Sequence, residues 1–588
     1  MGKNPIDKTV KELREEHYNE EFERSGNDAF CVSRKWKILN ILILILSGCL
    51  YSTAFPPYNF SFIAWIAVVP LIIVIYKRTP LMAALSGAIW GYAWGVTSFY
   101  WLREIESPIP FAMGGILAAF HAVWALLVPI FYKSILHIDS KSEKTKRYWL
   151  KEIFFVLALS CWWSILEWVR AWIFTGFPWN FAGVTQWKNI PIIQIAEFTG
   201  VYGVSFILIY VNCAIFLAVG VIRKSIATGK HCRPVPLFSA AALLLLSVLA
   251  GAKSLLHYSS TKTNKTDSIS IALIQANIPQ CRFPKPGIAE YALEEHIKLS
   301  RMVAVLQPDL IAWPETAVPV SYISGDNLGY LYRFKVNNLI KETNIPLMFG
   351  TLDFEQKITT QGKEPDYDEY NAVYLVNTSD EIVDKYRKHH LVPFGEYTPF
   401  GKYYPDLKEK LGMGRDLTPG KKYTIFELKN KIKAGALICF EDIFPNISRE
   451  LVLRGADMLI VFSNDAWYPT SSEPEQHLAN SIFRAIETRR PLVRVGNNSC
   501  SCLILPNGNI VDSVSVDEED GKIVLKPEKS VKAFAKFDIS VIKSEPNTFY
   551  TRYGNVFIYI CFVLFIFAII VSAAHYKNNK LSLLKSFE

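Results

Sequence analysis

The order of apolar and polar stretches divides this chain into membrane-like and soluble-like parts. Eight apolar stretches, each near the ~20 residues that a bilayer crossing needs, are separated by short polar loops, except between the seventh and the eighth. There, about 280 polar and mixed residues intervene. The pattern predicts a multi-pass α-helical membrane domain of eight spans with a second domain inserted before the last one. The predicted spans are 38–56, 60–76, 81–102, 112–132, 152–170, 200–222, 236–256 and 555–574.

The same pattern sets the expected domain boundaries. The first residues are charged and contain no apolar core, so they are not typical of a signal peptide. We interpret them as a hydrophilic tail. The expected division is 1–35 for a cytoplasmic tail, 36–258 for a transmembrane domain of seven helices, 260–545 for the inserted domain, 555–574 for the eighth helix and 575–588 for a second cytoplasmic tail.

The loop charges predict the orientation of the spans. Basic residues precede the first span and follow the second, fourth, sixth and eighth, whereas the loop 52–61 carries no charge. Because basic loops stay in the cytoplasm, the N-terminus is expected inside and residues 260–545 on the outer side. The basic residues are Arg34, Lys35, Lys37, Lys77, Arg78, Lys133, Lys141, Lys144, Lys146, Arg147, Lys151, Arg223, Lys224, Lys230, Arg233, Lys577 and Lys580.

The inserted domain alternates between short apolar runs and amphipathic stretches, which is typical of strands and helices. About 280 residues of this kind suit one α/β domain. The predicted helices are 289–306, 328–342 and 474–489. The predicted strands are 269–277, 309–313, 347–352, 372–377, 434–440, 458–463, 492–497 and 501–505.

Composition supports the membrane assignment and excludes other classes. Hydrophobic residues make up 51% of the chain and the mean hydropathy is +0.18, which is high for a soluble protein. The formal charge of +9 does not indicate nucleic-acid binding, because the basic residues cluster beside apolar stretches. The ten cysteines lack the spacing of metal ligands or of a disulfide framework, so neither a metal nor a cofactor is expected.

Three segments of the inserted domain carry residues suited to acyl chemistry. Cys439 follows an apolar run, Glu315 closes another, and Lys388 precedes the run Leu391-Val-Pro-Phe-Gly-Glu396. A thiol near its free pKa is only a few per cent ionised at neutral pH, so acyl transfer needs a base that takes its proton. It also needs a cation or hydrogen-bond donor for the oxyanion. The three side chains offer a nucleophile, a base and a cation.

Each residue taken alone has a simpler interpretation. A glutamate after a strand is often a solvated loop residue, a basic run is usually a solvated face, and a cysteine in an apolar strand is usually a buried structural residue. Against this, Pro314 cannot donate to a central ladder. We therefore expect the chain to leave the sheet at Trp313-Pro-Glu315, at the rim where sites are built.

Acidic residues mark two further positions near the expected site. Two carboxylates follow Phe440, which indicates that the strand of Cys439 ends there and that the thiol lies at the rim. Glu396 and Glu441 are then candidate supports that hold Lys388 and the thiol in place.

The three segments together, in the order Glu, Lys, Cys, resemble the nitrilase superfamily. Further motifs resemble its membrane-integrated branch, the bacterial apolipoprotein N-acyltransferases, over about residues 38–575. These motifs are Glu167-Trp-Val-Arg170, Gly176-Phe-Pro178-Trp179, the run from Gln194 to Gly203, Gln275-Ala-Asn277-Ile-Pro279-Gln280 and Val392-Pro-Phe-Gly-Glu396-Tyr-Thr-Pro399.

The resemblance implies a bacterial inner-membrane enzyme whose catalytic domain has a carbon-nitrogen hydrolase sandwich fold and lies on the periplasmic side. Such an enzyme transfers a fatty acyl chain from a membrane phospholipid to the α-amine of S-diacylglyceryl-cysteine at an apolipoprotein N-terminus, the last step of lipoprotein maturation. In the family's terms, Glu315 is the base, Lys388 the oxyanion and proton partner, and Cys439 the nucleophile that carries a thioester.

The resemblance also nominates substrate contacts and shows two departures. Relatives commonly place a Lys-Trp pair in a lipid-contacting loop where this chain has Arg282-Phe283, and often Tyr after the nucleophile where it has Phe440. The segment Met458–Trp467 resembles the strand that often lines the acyl pocket. The complete set of nominated substrate contacts is Arg282, Phe283, Trp313, Asn464 and Trp467.

Two alternative functions remain open at this point. A membrane-tethered amidase or nitrilase would use the same three residues with water as the acyl acceptor. A hydrolase of small soluble amides, however, does not need eight membrane spans to hold it at the membrane. A transporter or lipid-binding scaffold with an inactive nitrilase-like domain would have no reason to keep all three residues. The acyltransferase interpretation is therefore favoured.

Overall fold

The chain forms two compact units. A helical unit extends up to Ile195, resumes over Val201–Gly251 and begins again at Asn555, and an α/β unit comprises Ala196–Gly200 and Ala252–Gly554. The structure is a computed structural model that describes residues 34–136, 148–229, 233–261, 266–280, 285–323, 325–357, 366–399, 401, 403, 416–511, 515–516, 523–524, 531–543 and 545–585.

The long α-helices of the described residues coincide with predicted stretches. In chain order the α-helices are α1 Arg34–Ser52, α2 Val69–Ile75, α3 Pro80–Ser98, α4 Ile109–Phe131, α5 Tyr148–Arg170, α6 Ile190–Ile193, α7 Ala196–Thr199, α8 Val201–Thr228, α9 Val235–Thr261, α10 Ile288–Ala304, α11 Asn327–Thr343, α12 Pro445–Leu453, α13 Glu473–Thr488, α14 Phe549–Tyr553 and α15 Val556–Lys585. The short helices α6, α7, α12 and α14 were not predicted.

Five helical segments are long and apolar enough to cross a membrane. They agree with the prediction of a multi-pass helical membrane domain, but they are five where the sequence predicted eight spans. The five segments, among the residues that the structure describes, are Ile109–Leu136, Tyr148–Arg170, Val201–Thr228, Val235–Leu256 and Val556–Lys577.

The other three predicted spans fall on shorter or less apolar helices. The first is the apolar helix Lys37–Ser52, and the second is split into a 3-10 helix, Ser61–Trp65, followed by α2. The third forms α3, where glycine, serine and tryptophan residues lower the hydropathy. The count of eight therefore stays a prediction.

Small residues let α3 and α4 approach closely. A Cβ atom added at Gly87 would lie 2.5 Å from the carbonyl oxygen of His121, closer than real Cβ contacts, and Gly91 and Gly95 face α4 at the same four-residue spacing. Lipid tails are as apolar as leucine, so helices associate in membranes through close packing of this kind. The residues that lower the hydropathy of α3 are thus the ones that let it pack.

Within the described part of the chain, the α/β unit contains two six-stranded sheets and a two-stranded one. Its strands are β1 Asp267–Gln275, β2 Leu310–Ser321, β3 Leu347–Gln356, β4 Tyr367–Val376, β5 Ile382–Arg387, β6 Ile425–Glu427, β7 Lys433–Ile438, β8 Met458–Asn464, β9 Leu492–Asn497, β10 Cys502–Ile504, β11 Ile510–Val511, β12 Ser515–Val516, β13 Ile523–Val524 and β14 Ala533–Val541.

Each large sheet has a parallel centre and antiparallel flanks. The first has the order β14-β1-β2-β3-β4-β5 and the second β11-β10-β9-β8-β7-β6. Strands β1, β2 and β3 are parallel, as are β7, β8 and β9. The carboxyl ends of each parallel set therefore lie at one edge of its sheet.

The two large sheets pack face to face, and helices cover the outer face of the first. Ile271 and Leu273 of β1 belong to the core between the sheets, whereas Ala272 and Ile274 belong to the core beneath α10 and α11. Strands buried on both faces are continuous apolar runs in sequence, which is why the sequence located them. The predicted α/β sandwich is confirmed.

Strands β5, β6 and β11 to β14 were not predicted, and the ends of several predicted strands differ from the observed ones. Two of these differences affect the candidate site. Strand β2 does not stop at Pro314 but continues to Ser321, with a register shift against β3 between Trp313 and Val318. The expectation that the chain leaves the sheet at Trp313-Pro-Glu315 is therefore wrong: a bulge accommodates the missing proline donor. Strand β7 ends at Ile438, so Cys439 and the residue after it lie in a 3-10 helix rather than in the predicted strand 434–440.

Candidate active site

Three separate strands of the α/β unit bring the predicted nucleophile, base and cation together. Glu315 lies in the bulge of β2, Lys388 follows the last residue of β5, and Cys439 follows the last residue of β7. The Lys388 Nζ atom lies 3.4 Å from Glu315 Oε1, and the Cys439 thiol and the Glu315 carboxyl are close enough to shift each other's pKa. The fold thus brings Lys388 and Cys439, which lie 73 and 124 residues after Glu315 in the sequence, into one site with it.

The bulge in β2 explains how Glu315 reaches this position. A Cβ atom added at Gly350 of β3 would lie 2.6 Å from the Cα atom of Glu315, so the two strands approach more closely there than a side chain allows. Burial raises the pKa of the Glu315 carboxyl, and the Lys388 cation opposes that rise. A carboxyl poised in this way is suited to accept a proton from a neighbouring thiol.

Lys388 is 1% exposed and lies between two carboxylates. Its Nζ atom donates to Glu396 Oε1 at 2.9 Å and to Glu315 Oε1 at 3.4 Å. Burial alone would lower the pKa of Lys388, but Glu396 and Glu315 more than offset it and raise the pKa. The lysine is therefore an ammonium ion at neutral pH, as a group that stabilises an oxyanion must be.

Asn371 of β4 completes this arrangement, and the sequence reasoning missed it. Its side-chain Nδ2 atom donates to Glu315 Oε1 at 2.8 Å and to Glu396 Oε1 at 2.9 Å. Its backbone carbonyl oxygen accepts from the Lys388 backbone N–H. The one sequence signal was an amide side chain in an otherwise apolar run.

Cys439 has a left-handed backbone conformation with φ = 50°. This conformation costs a non-glycine residue about 1–3 kcal/mol and persists only where the surroundings enforce it. Burial, and then the Glu315 charge, raise the pKa of the partly exposed Cys439 thiol well above its ordinary value, and Lys388 opposes them. The raised pKa favours the protonated thiol as the resting form of Cys439.

Glu441 holds the Cys439 turn from the side of Lys388. Its Oε1 atom accepts from the backbone N–H of His389 at 2.6 Å, and its Oε2 atom from that of Ile438 at 2.8 Å. The Tyr386 hydroxyl donates to both oxygens at 3.0 Å. Burial raises the pKa of Glu441 to about 7 while these backbone donors oppose it. The carboxylate thus ties the end of β7 to the segment of the lysine.

Three more of the predicted site residues, Glu396, Phe440 and Asn464, have contacts that the structure describes. Glu396 accepts from Lys388 as described. Phe440 is buried against Phe444. Asn464 donates from Nδ2 to Thr316 Oγ1 at 3.3 Å, next to the base.

The structure gives no direct support to the other nominated substrate contacts, Trp467, Trp313, Arg282 and Phe283. Trp467 is 42% exposed in the 3-10 helix Asp465–Trp467. Trp313 is fully buried and donates from Nε1 to Ser300, so its position gives its assignment no support. Arg282-Phe283 lie outside the described residues. All of these contacts stay predictions.

One group of possible metal ligands occurs among the described residues, and the sequence did not reveal it. Ligand atoms of Asp465, Glu473 and His477 lie within 4.8 Å of one another. Serine hydroxyls of Ser463 and Ser499 already donate to Asp465. The group therefore has the character of a hydrogen-bonded charge cluster.

The α/β sandwich and its cysteine site define a carbon-nitrogen hydrolase domain joined in one chain to membrane-type helices. Residues 270–528 match the family model described as carbon-nitrogen hydrolase. Residues 47–214 match the one described as apolipoprotein N-acyltransferase N-terminal domain.

Relatives that carry the name apolipoprotein N-acyltransferase match most of the chain. The protein from Geobacter metallireducens is 30% identical over 88% of this chain and 92% of its own. The one from Rickettsia prowazekii is 32% identical over 82% and 90%. A solved amidase from Nesterenkonia sp. matches with 15% identity over 50% of this chain and 95% of its own, at a TM-score of 0.32. The chain belongs to the apolipoprotein N-acyltransferase family, which confirms the resemblance.

Proposed function

We propose that this protein transfers a fatty acyl chain from a membrane phospholipid to the α-amine of S-diacylglyceryl-cysteine at an apolipoprotein N-terminus. The observation that carries the proposal is that the α/β sandwich brings Cys439, Glu315 and Lys388 together: Lys388 donates to Glu315, and both charges influence the pKa of the Cys439 thiol. Family membership supports the choice of acyl donor and acceptor. Because the substrates are lipids, the proposal includes the location of the enzyme. We propose that eight spans anchor it in a bacterial inner membrane and that the site lies on the periplasmic side.

In the first half-reaction Glu315 takes the proton of the Cys439 thiol as the sulfur attacks the ester carbonyl of the phospholipid. Lys388 stabilises the negative oxygen of the tetrahedral intermediate. The ester C–O bond then breaks, Glu315 returns the proton to the departing alkoxide, and a lysophospholipid leaves. The acyl chain remains on Cys439 as a thioester.

In the second half-reaction the apolipoprotein amine attacks the thioester carbonyl. Glu315 accepts the proton that the amine loses, Lys388 again stabilises the oxyanion, and the C–S bond breaks. The leaving sulfur regains its proton from Glu315. The products are an amide and the resting thiol, and no oxidant, reductant or metal enters the balance.

Mass spectrometry of the purified protein tests this scheme in two stages. Incubation with phospholipid alone should add one acyl mass to Cys439, and hydroxylamine should release it, since it cleaves thioesters. A diacylglyceryl peptide added next should receive the chain as an amide. The matched control is Cys502→Ser, which changes a buried thiol of the same unit and should leave both stages intact.

Two results would count against the proposal. An acyl-free Cys439 in a preparation that still acylates the peptide would remove the thioester. Release of free fatty acid with no amide product would instead favour the membrane-tethered hydrolase, with water as the acceptor.

A further inference from the structure

A buried charge cluster lies directly behind the Cys439 turn, and the proposed mechanism does not use it. It contains three acidic and two basic side chains, each at most 3% exposed. An unpaired charge at such depth costs several kcal/mol, so the cluster must be internally compensated. Its members are Asp442, Asp465, Glu473, His477 and Arg494.

His477 is the centre of this cluster. Its Nε2 atom lies 2.7 Å from Asp442 Oδ1 and 3.3 Å from the carbonyl oxygen of Cys439. Its Nδ1 atom lies 3.2 Å from Asp465 Oδ1 and 3.5 Å from Glu473 Oε1. Both ring nitrogens therefore face acceptors, and only an imidazolium can donate from both.

The charges of the cluster are consistent with this protonation state. Burial alone would lower the pKa of His477, but Asp442 and Asp465 raise it to about 10. Burial and the Asp465 charge raise the pKa of Glu473 well above its ordinary value, so Glu473 is neutral. Two carboxylates, one imidazolium and the Arg494 guanidinium then sum to zero net charge.

The cluster joins four separate elements at the back of the nucleophile. His477 lies on α13, Asp442 on the 3-10 helix that begins at Cys439, Asp465 just after β8, and Arg494 on β9. Arg494 and Ser481 also donate to Asp442. The strained turn is thus held by Glu441 on one side and by the cluster on the other.

We propose that His477 is a positioning residue for the acyl-transfer reaction, holding the Cys439 carbonyl and Asp442 so that the thiol points at Glu315. The inference rests on the proposed role of Cys439 as nucleophile. His477 meets the turn at the Cys439 carbonyl oxygen and at Asp442, so it acts through the backbone of the turn. A displacement of about 1 Å in a reacting group is enough to cost roughly 10²-fold in rate.

In the variant His477→Gln, the glutamine amide can still donate a hydrogen bond, but it cannot bind Asp442 and Asp465 at the same time. We expect it to slow acylation of Cys439 by phospholipid by about 10–100-fold. The phospholipid concentration that gives half the maximal rate should stay within about twofold, because His477 does not contact the lipid in this scheme. Alkylation of Cys439 by iodoacetamide, followed by peptide mapping, should slow as well.

The matched control is His296→Gln. His296 is also a buried helical histidine of the α/β unit, but its Nδ1 atom bonds the Ala292 carbonyl of its own helix, and its ring packs on Trp313. This variant should lower the melting temperature while leaving both rates at Cys439 within about threefold. All rates are measured well below the melting temperature of each variant.

Each outcome decides a different question. Wild-type acylation and alkylation rates in folded His477→Gln would overturn the inference, and so would an equal slowing in His296→Gln. Absence of acylation in the wild type, with alkylation still sensitive to His477→Gln, would overturn the proposed function but keep the positioning role. If His477→Gln does not fold, Asp442→Asn weakens the same contact from its other partner and must slow both reactions for the inference to stand.

Discussion

Replacement of Lys388 by methionine should disable the site for two linked reasons. The ammonium group, which donates to Glu396 and Glu315, is lost as the oxyanion partner. In addition, the Lys388 charge is the main influence that opposes the raised pKa of Glu315. Without it, two buried carboxylates share one site, and such pairs retain a proton. Glu315 then takes that proton and stops being a base.

The cost to stability follows from the same geometry. Holding Glu315 protonated at pH 7, against an ordinary pKa of 4.5, costs at most about 3 kcal/mol at ~1.4 kcal/mol per pKa unit. This agrees with the range of roughly 3–5 kcal/mol for breaking a buried ion pair. At about 2–4 °C per kcal/mol, the melting temperature should fall by about 6–12 °C.

A second substitution separates the catalytic loss from the loss of stability. Lys388→Met alone should slow Cys439 acylation by at least ~10²-fold. Adding Glu396→Gln removes one of the two unpaired carboxylates, so the double variant should regain most of the melting temperature but none of the rate. Mass spectrometry of the acyl-enzyme and a thermal melt in detergent measure the two quantities.

The control for this experiment is a lysine three residues earlier, on the strand that ends just before Lys388. Lys385 of β5 pairs with Asp353 at 2.8 Å, away from the thiol, and is 39% exposed. Lys385→Met should keep the acylation rate within a few-fold. Near-normal activity of Lys388→Met, or activity that returns together with stability in the double variant, would refute the reasoning.

Three further predictions concern other parts of the molecule. Asn371→Ala should slow acylation about 10–100-fold, in the range of a lost catalytic hydrogen bond, measured in the same assay. Because the folded protein raises the pKa of His477 from 6.5 to about 10, this contribution to stability is complete below about pH 6.5 and is lost as the pH rises through about 10. The wild-type melting temperature should therefore fall more steeply over this window than that of His477→Gln, and parallel slopes would contradict it. A reporter active only outside the cytoplasm should be on when fused after residue 300 and off after residue 142, and the reverse pattern would overturn the predicted topology.

The sequence located the strands that are buried on both faces, and it nominated three residues that the structure brings near one another. Strand β8 was predictable because it begins with a continuous apolar run, and β9 occupies the predicted 492–497 although it contains Arg494. Strand β14 was missed despite the alternation of buried and less buried residues that is typical of a strand, and it pairs with β1, far away along the chain. Periodicity locates an element but does not say which element pairs with it.

The parts of the site that sequence reasoning missed are contacts across long sequence separations. Asn371 meets Glu315 across 56 positions, and His477 meets the Cys439 carbonyl across 38. Neither residue belongs to a local motif, because the sheets and α13 create the proximity. The bulge at Glu315 was missed for a related reason: a proline in a strand predicts either an end or a bulge, and only the register against β3 distinguishes them.

In the proposed mechanism, charge balance accounts for how a thiol that is protonated at rest attacks a lipid ester. The Glu315 carboxylate, the Lys388 ammonium and the neutral Cys439 thiol together carry no net charge in that scheme. Transfer of the thiol proton to Glu315 leaves the total unchanged, because the carboxylate becomes neutral as the sulfur becomes negative. A buried site therefore creates no new net charge at the moment of attack, which would be costly in a low dielectric. In the same scheme the proton passes from Cys439 to the neighbouring Glu315, while Lys388 remains in place for the oxyanion that forms next.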